Sequence, residues 1–342
     1  MVRANGSYPL CPGFKSLHRH HPLLKRFRKA VAATPLRDGD RLLLAVSGGK
    51  DSAGMLSLFL SALPRPRLVL GVAHIHHNLR GADADADAKA AGALARSLGL
   101  PFASARLRGR PPKGTSVEAW AREGRYAALE RLRAEGGWDW IATAHTLDDQ
   151  AETVLLRIAR GAGLEGLAAV LPRAGRVLRP VLDFSGAELC GAARLCGMPV
   201  REDASNADRR FLRNRIRRDL LPFLDRSLPG FRRHLAALAR HARLAAAAPG
   251  PADIAVREGE TLYFPWGALR ALGEGDARRQ VRRGLKALRG DLGRITERHV
   301  DALVALRAAR SGAVVALPGP WEGVRERGGL RLRPAPLRGG RT

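Results

Sequence analysis

Leu42-Leu43-Leu44-Ala45-Val46-Ser47-Gly48-Gly49-Lys50-Asp51-Ser52 is the stretch that decides the fold. An apolar run is followed by a Ser-Gly-Gly turn and then by the amphipathic stretch 53–63, which reads as strand, glycine turn and helix. The two glycines let the backbone turn sharply and present its N–H groups. The helix that starts there adds unpaired donors and a partial positive charge at the same point. The hydroxyls of Ser47 and Ser52 join them. Ser47, Gly48, Gly49, Lys50, Asp51 and Ser52 together form a pocket suited to a pyrophosphate.

A Walker A loop needs a longer gap between its glycines and then Lys-Ser or Lys-Thr. Here Lys50 is followed by Asp51. The pattern Ser-Gly-Gly-x-Asp-Ser instead resembles the PP-loop of ATP pyrophosphatases, which cleave ATP between its α- and β-phosphates. A bare Ser-Gly-Gly would be an ordinary glycine-rich turn. A match at every position of the hexapeptide, between a strand and a helix, is more than such a turn requires.

Outward from this stretch, strands and helices alternate. Strands are expected at 68–74, 102–107 and 138–144, with helices at 23–33, 83–98, 117–134 and 148–160. Gly99 suits the end of the second of these helices and Ser116 the start of the third. The alternation predicts an α/β fold, Rossmann-like, with a parallel sheet covered on both faces. Ligands of such sheets sit at the carboxyl ends of the strands. After Pro222 a smaller unit is expected, with helices at 235–248, 276–288 and 296–309 and short strands at 314–317, 323–327 and 330–333.

The 342 residues suffice for one large or two ordinary domains. Lys and Arg number 59 against 32 Asp and Glu, a net charge of +27 that points to a polyanionic partner, foremost nucleic acid. Only 5% of residues are aromatic, so stacking on aromatics is not the evident binding mode. No apolar run approaches a membrane span, and no signal-peptide pattern opens the chain. Cys11, Cys190 and Cys196 make neither a disulfide framework nor a Cys-x-x-Cys metal pair, so a cytoplasmic protein is expected. His18, His20 and His21 lie in a polar, basic N-terminal stretch, read as a loose tail rather than a metal site.

Beyond the hexapeptide, four segments carry chemistry. His74-Ile75-His76-His77-Asn78-Leu79-Arg80-Gly81 ends a strand, and period-two spacing puts His74 and His76 on one face; a surface loop with satisfied histidines is the plainer reading. Thr143-Ala144-His145-Thr146-Leu147-Asp148-Asp149-Gln150-Ala151-Glu152-Thr153 is sharper. Thr146 and Asp149 make a capping-box-like pair. Asp148, Asp149 and Glu152 share a helix end, where acids could hold Mg²⁺ or bind the amines of a cationic substrate. On the helix after Ser116, Arg122 and Arg125 could reach a phosphate or a carboxylate. Finally, residues 209–218 hold six arginines in ten positions, and Arg279, Arg282, Arg283 and Lys286 repeat as one helical stripe. Guanidinium forks of this density suit phosphates.

Together these segments resemble the tRNA(Ile)-lysidine synthetase family. The resemblance also runs through Arg160-Gly161-Ala162-Gly163-Leu164-Glu165-Gly166-Leu167, Arg179-Pro180-Val181-Leu182-Asp183 and Glu202-Asp203-Ala204-Ser205-Asn206, and on to Arg213-Asn214-Arg215-Ile216-Arg217. It implies a PP-loop catalytic domain over 22–224, a small, mainly helical tRNA-binding domain with short terminal strands over 225–342, and a flexible basic extension over 1–21. It implies a short form without the further C-terminal domain that many members carry for the acceptor stem. It also implies a reaction. ATP adenylates O2 of the wobble cytidine of an isoleucine tRNA with a CAU anticodon, releasing pyrophosphate. The side-chain amine of free L-lysine then attacks carbon 2 and AMP leaves, turning a methionine-type tRNA into an isoleucine-type one.

On this reading Ser47 to Ser52 hold ATP, and Asp51 and Asp149 hold Mg²⁺. Asp51, Asp149 and Glu152 share metal and lysine-amine roles, Arg122 meets the lysine carboxylate, and His145 contacts the activated cytosine or a phosphate. Arg209, Arg210, Arg213, Asn214, Arg215, Arg217, Arg279, Arg282 and Arg283 take the tRNA backbone. A homodimer is left open. The rivals are a tRNA thiolase of the same superfamily, which generally needs a catalytic cysteine pair or an iron–sulfur cluster, and a non-catalytic RNA-binding protein that would release no pyrophosphate.

Overall fold

A computed structural model describes residues 21–62, 67–76, 82–107, 109, 111–112, 117–200, 212–247, 253–290, 292 and 294–336. His18 and His20, Cys11, the segment from His77 to Gly81, Ser116, and the stretch containing Asp203, Arg209 and Arg210 lie outside the described residues. The chain divides into two compact units, Met1–Leu156 with Ala169–Ala239, and Arg157–Ala168 with Arg240–Thr342.

In the first unit α1 (Pro22–Ala32) precedes β1 (Arg41–Ala45), α2 (Lys50–Ala62), β2 (Val69–His76), α3 (Ala82–Ser97), β3 (Phe102–Arg106), α4 (Val117–Glu135), β4 (Trp140–Ala142) and α5 (Leu147–Ala159). After α6 (Leu164–Leu167), which belongs to the second unit, come β5 (Arg173–Ala174), β6 (Val177–Leu178), α7 (Gly186–Leu195), α8 (Leu212–Arg215), a π-helical turn (Ile216–Leu220), α9 (Leu221–Ser227) and α10 (Phe231–Ala247), whose residues after Ala239 count with the second unit. The sheet order is β3-β2-β1-β4-β6-β5, parallel from β3 to β6, with β5 antiparallel at the edge.

The strands read as continuous apolar runs because both faces are buried. In β1, Leu42 and Leu44 enter a core with Leu56, Phe59, Phe27 and Leu189, while Leu43 faces the opposite way onto Ala128, Leu129 and Trp138. The hairpin β5–β6 and α7 were not expected from sequence; Ser185 and Glu188 nevertheless form a full capping box at the start of α7.

The first unit extends past residue 224 to Ala239. The reason is packing: Leu235 and Ala239 of α10 are buried with Ile216, Leu221, Ala151 and Val154. Within the second unit, Glu165 lies 3.8 Å from Arg282. That unit contains β7 (Val256–Glu258), β8 (Thr261–Pro265), α11 (Trp266–Ala271), α12 (Glu274–Arg289), α13 (Glu297–Ala305), β9 (Val314–Leu317), β10 (Trp321–Arg325) and β11 (Gly329–Pro334). Its antiparallel sheet, β7-β8-β11-β10-β9, contains the three expected strands and adds β7 and β8.

The α2–α7 contact sets the backbone behind the glycine turn. A Cβ on Gly54 would stand 2.3 Å from the Leu189 carbonyl oxygen, a backbone atom that cannot rotate away. Gly54→Ala is expected to lower stability by about 1–3 kcal/mol, read as a lower urea midpoint. An unchanged midpoint would mean that the two helices are free to separate.

Candidate active site

At the carboxyl end of β1 the chain leaves the sheet at Val46, whose N–H donates to the Ala73 carbonyl at 2.8 Å. Gly48 adopts φ +91°, a region that favours glycine. Ser47 and Ser52 close the turn: the Ser52 hydroxyl donates to the Gly49 carbonyl at 2.9 Å and accepts the Ser47 N–H at 3.2 Å. Helix α2 starts at Lys50, so the N–H groups of its first turn have no intrahelical partner and point at the space above the turn.

That space is a cavity of about 520 Å³. One side carries Ser47, Gly49, Asp51 and Ser52, another Arg122 and Arg125 of α4, a third His145 and Asp149, and a fourth Arg213, Asn214 and Arg217. Ala45, Ala73, Ile75, Ala121 and Ala144 supply an apolar wall suited to a flat ring. Sequence positions 47 to 217 are thus gathered at the end of the sheet where the topology places ligands.

The acids on α5 are strongly engaged. Asp149 replaces the usual glutamate of a capping box: its Oδ2 accepts the Thr146 N–H at 2.9 Å, and the Asp149 N–H donates to the Thr146 hydroxyl at 3.3 Å. Its Oδ1 is shared by Arg213 at 3.3 Å and Arg217 at 3.4 Å. Glu152 is 0% exposed and sits behind these arginines. Arg213 Nε donates to one of its oxygens at 2.9 Å, and Arg217 grips both, at 2.5 and 2.9 Å. Asp148 turns the other way, accepting the Gly186 N–H at 2.8 Å and a bond from Arg232.

Two expectations change accordingly. Glu152 does not line the cavity, and its oxygens serve two guanidiniums. Arg213 and Arg217, expected on the tRNA backbone, are cavity residues tied to carboxylates, because a buried carboxylate needs a paired cation. Arg215 is exposed.

In the second unit, Arg282 departs from the expected basic stripe. It is 7% exposed and paired with Glu297. Arg279, Arg283 and Lys286 remain on the exposed side of α12, Arg279 bonded to Asp276.

Asp51 is the carboxylate without such neutralisation. Its Oδ1 is buried with no hydrogen-bond partner among the described residues. Burial, then the charges of Asp149 and Asp148, push its carboxyl up to about 6 against the pull of Lys50 and Arg217. A Cβ on Gly186 would stand 3.1 Å from that oxygen and 3.0 Å from Asp148, so the start of α7 approaches both acids closely. Burial opposes charge on Asp149 too, but His145, Arg213, the Thr146 N–H and Arg217 outweigh it and hold that carboxyl low. His145 is pushed well below its ordinary value by burial and by Arg179, Arg122 and Arg125, against Asp149. Its Nδ1 lies 3.0 Å from the Thr143 hydroxyl. His74 is a satisfied core residue, with Nδ1 2.8 Å from the Val46 carbonyl.

Sequence reasoning missed the approach of α7 to Asp51, and the buried Arg179, which donates to the Tyr126 hydroxyl at 3.1 Å. Cys190 and Cys196 lie on or just after α7, away from the cavity lining. Among the described residues no cluster of three metal-ligating side chains occurs, and no helix is long and apolar enough to cross a membrane.

The fold and this site are those of a PP-loop domain: the PP-loop domain family matches residues 20–224. The chain is 43% identical over 248 residues to a tRNA(Ile)-lysidine synthase of Bordetella parapertussis, covering 69% of this chain and 70% of that protein. It is 38% identical over 308 residues to the tRNA(Ile)-lysidine synthase of Geobacter sulfurreducens, covering 84% of this chain and 64% of the relative. The chain belongs to the tRNA(Ile)-lysidine synthase family. Against the Geobacter protein it spans somewhat less than two thirds of the relative's length. Among solved structures, a U34-tRNA thiolase from Methanococcus maripaludis superposes with a TM-score of 0.55 at 19% identity, over 68% of this chain and 80% of that one, a likeness of fold.

The Asp51 carboxyl yields a signed prediction. In the folded chain it binds its proton more tightly than in the unfolded one, so stability declines as pH rises from about 4 through about 6. In metal-free buffer, Asp51→Asn should be more stable than the parent above that range, by on the order of 3 kcal/mol at most. The difference should vanish near the lower limit. Urea unfolding across the range checks this; a difference independent of pH would contradict the environment described for Asp51.

Proposed function

We propose that this chain joins the side-chain amine of L-lysine to carbon 2 of the wobble cytidine in a CAU-anticodon isoleucine tRNA, with ATP cleaved to AMP and pyrophosphate. The observation that carries the reading is the single cavity in which the glycine turn, Asp51, the Arg122–Arg125 pair and the His145–Asp149 pair converge. Family membership supplies the substrate class.

In the first half-reaction the cytosine O2 attacks the α-phosphorus of ATP and pyrophosphate leaves. The N–H groups at the start of α2, with Ser47 and Ser52, hold the phosphates and stabilise the departing charge. The target base must leave its stack, and the apolar wall of Ala45, Ala73, Ile75 and Ala144 offers space for planar rings. In the second, the lysine amine attacks carbon 2, the bond from carbon 2 to the adenylated oxygen breaks, AMP departs and the amine gives up a proton. The His145 imidazole is a suitable neighbour for that proton or for the activated base. A cationic amine entering beside Asp149 competes with Arg213 and Arg217 for Oδ1, so those arginines must yield it or share it. Arg122 and Arg125 suit the carboxylate of the same amino acid.

Mg²⁺ fits at Asp51. Its buried, unbonded Oδ1 is a cation-seeking atom, and this metal is usually held by one or two carboxylates together with substrate phosphates. Asp149 is the less suitable ligand, since both its oxygens already accept hydrogen bonds. Bound there, the metal would offset phosphate charge. The exposed Arg279, Arg283 and Lys286 are surface cations for a nucleic-acid backbone.

The test supplies ATP, Mg²⁺, labelled lysine and either an isoleucine tRNA with a CAU anticodon or a methionine tRNA. Label should enter the isoleucine tRNA alone, with equimolar AMP, and Asp51→Ala should cut the rate at least about a hundredfold. Binding of the tRNA without label or pyrophosphate release would refute the reading and favour a non-catalytic RNA-binding protein.

A further inference from the structure

We propose that Tyr126 and Arg179 are positioning residues that hold Arg122 and Arg125 on the cavity wall for the carboxylate of the amino-acid substrate. The inference rests on the lysine-joining reading above. The Arg122 guanidinium lies 5.2 Å and that of Arg125 5.6 Å from the centre of the Tyr126 ring. Cations at this distance from an aromatic ring are attracted to it, and a planar guanidinium held there loses little further freedom when it binds an anion.

The ring is itself fixed from behind. Arg179, 7% exposed, donates to the Tyr126 hydroxyl at 3.1 Å and to the Leu171 carbonyl at 2.7 Å. Its guanidinium also lies over the ring, 5.9 Å from the centre, the longest of the three separations. An i,i+4 stacking of Arg122 on Tyr126 alone would be common on any helix. A buried cation brought in from 53 positions away to lock the phenol is not.

Charge identifies what the wall receives. Arg213 and Arg217 are paired with Asp149 and Glu152. Among the described residues no ion pair ties Arg122, Arg125 or Arg179 to a carboxylate. Two guanidiniums with no carboxylate partner among the described residues, on one wall, call for an anion from outside. The glycine turn already supplies donors for the phosphates. The other anionic group among the small substrates is the lysine carboxylate, which a guanidinium fork fits in bidentate fashion.

The experiment compares Tyr126→Leu, Tyr126→Phe and Arg179→Met with the parent chain, measuring the KM for lysine, the KM for ATP, kcat, and tRNA-dependent pyrophosphate release without lysine. Tyr126→Leu should raise the lysine KM about tenfold, with kcat within about twofold and pyrophosphate release unchanged. Tyr126→Phe, which keeps the ring, should show a smaller rise, matched by Arg179→Met. Should the leucine variant not fold, the phenylalanine and methionine variants decide the matter by the same split. A lower melting temperature with an unchanged lysine KM would overturn the inference. So would a parallel rise in the ATP KM, which would assign the arginines to the nucleotide. A parent chain that accepts no lysine removes the reading and this inference together.

Discussion

The site depends on charge balance around the first turn of α5. Asp148, Asp149 and Glu152 lie within five residues, two of them close to Asp51, with Glu152 fully buried and the two aspartates only partly exposed. Acids in a first turn are favoured by the helix dipole, but a fully buried Glu152 is tenable only with cations against it. Arg213 and Arg217 meet Glu152 and Asp149, and Arg232 meets Asp148. These pairs dock the helices after residue 212 onto α5 and so build the far wall of the cavity. Asp51 is left as the carboxylate without an arginine of its own, and that asymmetry distinguishes the acid suited to a metal and phosphates from those that hold the architecture.

The π-helical turn at Ile216–Leu220 belongs to the same arrangement. In an α-helix, Ile216 and Leu221 would point well apart. The wider turn brings both into one buried cluster with Ala151 and Val154 of α5 while Arg213 and Arg217, a turn apart, face Glu152. Insertions of this kind recur at functional sites because they re-aim side chains without ending the helix.

Much of this was legible from sequence where the signal is local. The apolar run of β1, the Ser-Gly-Gly turn and the alternating segments after it specify a parallel sheet and the end at which ligands bind. The cavity draws on Asp51, Arg122, His145 and Asp149, all residues the motifs single out. What could not be read was who neutralises whom. The partners of Glu152 and Asp148 lie 61 and 84 positions away, and no local spacing links them. Glu152 therefore looked like a free ligand, and Arg213 and Arg217 like surface cations. Arg282 misled in the same way: the spacing of a basic stripe is the same whether a residue faces solvent or Glu297. The hairpin β7–β8 was more accessible, since Leu262 and Phe264 alternate with Thr261 and Tyr263 after Gly259, which adopts φ +61°.

The most direct test is a double-mutant cycle on Glu152 and Arg217, read by urea unfolding of the parent, Glu152→Gln, Arg217→Gln and the double variant. If Glu152 is the buried anchor described, Glu152→Gln should cost about 3 kcal/mol. The double variant should be more stable than additivity predicts, by at least about 1.5 kcal/mol. Additive effects, or a Glu152→Gln chain as stable as the parent, would show that the pair does not hold the site together.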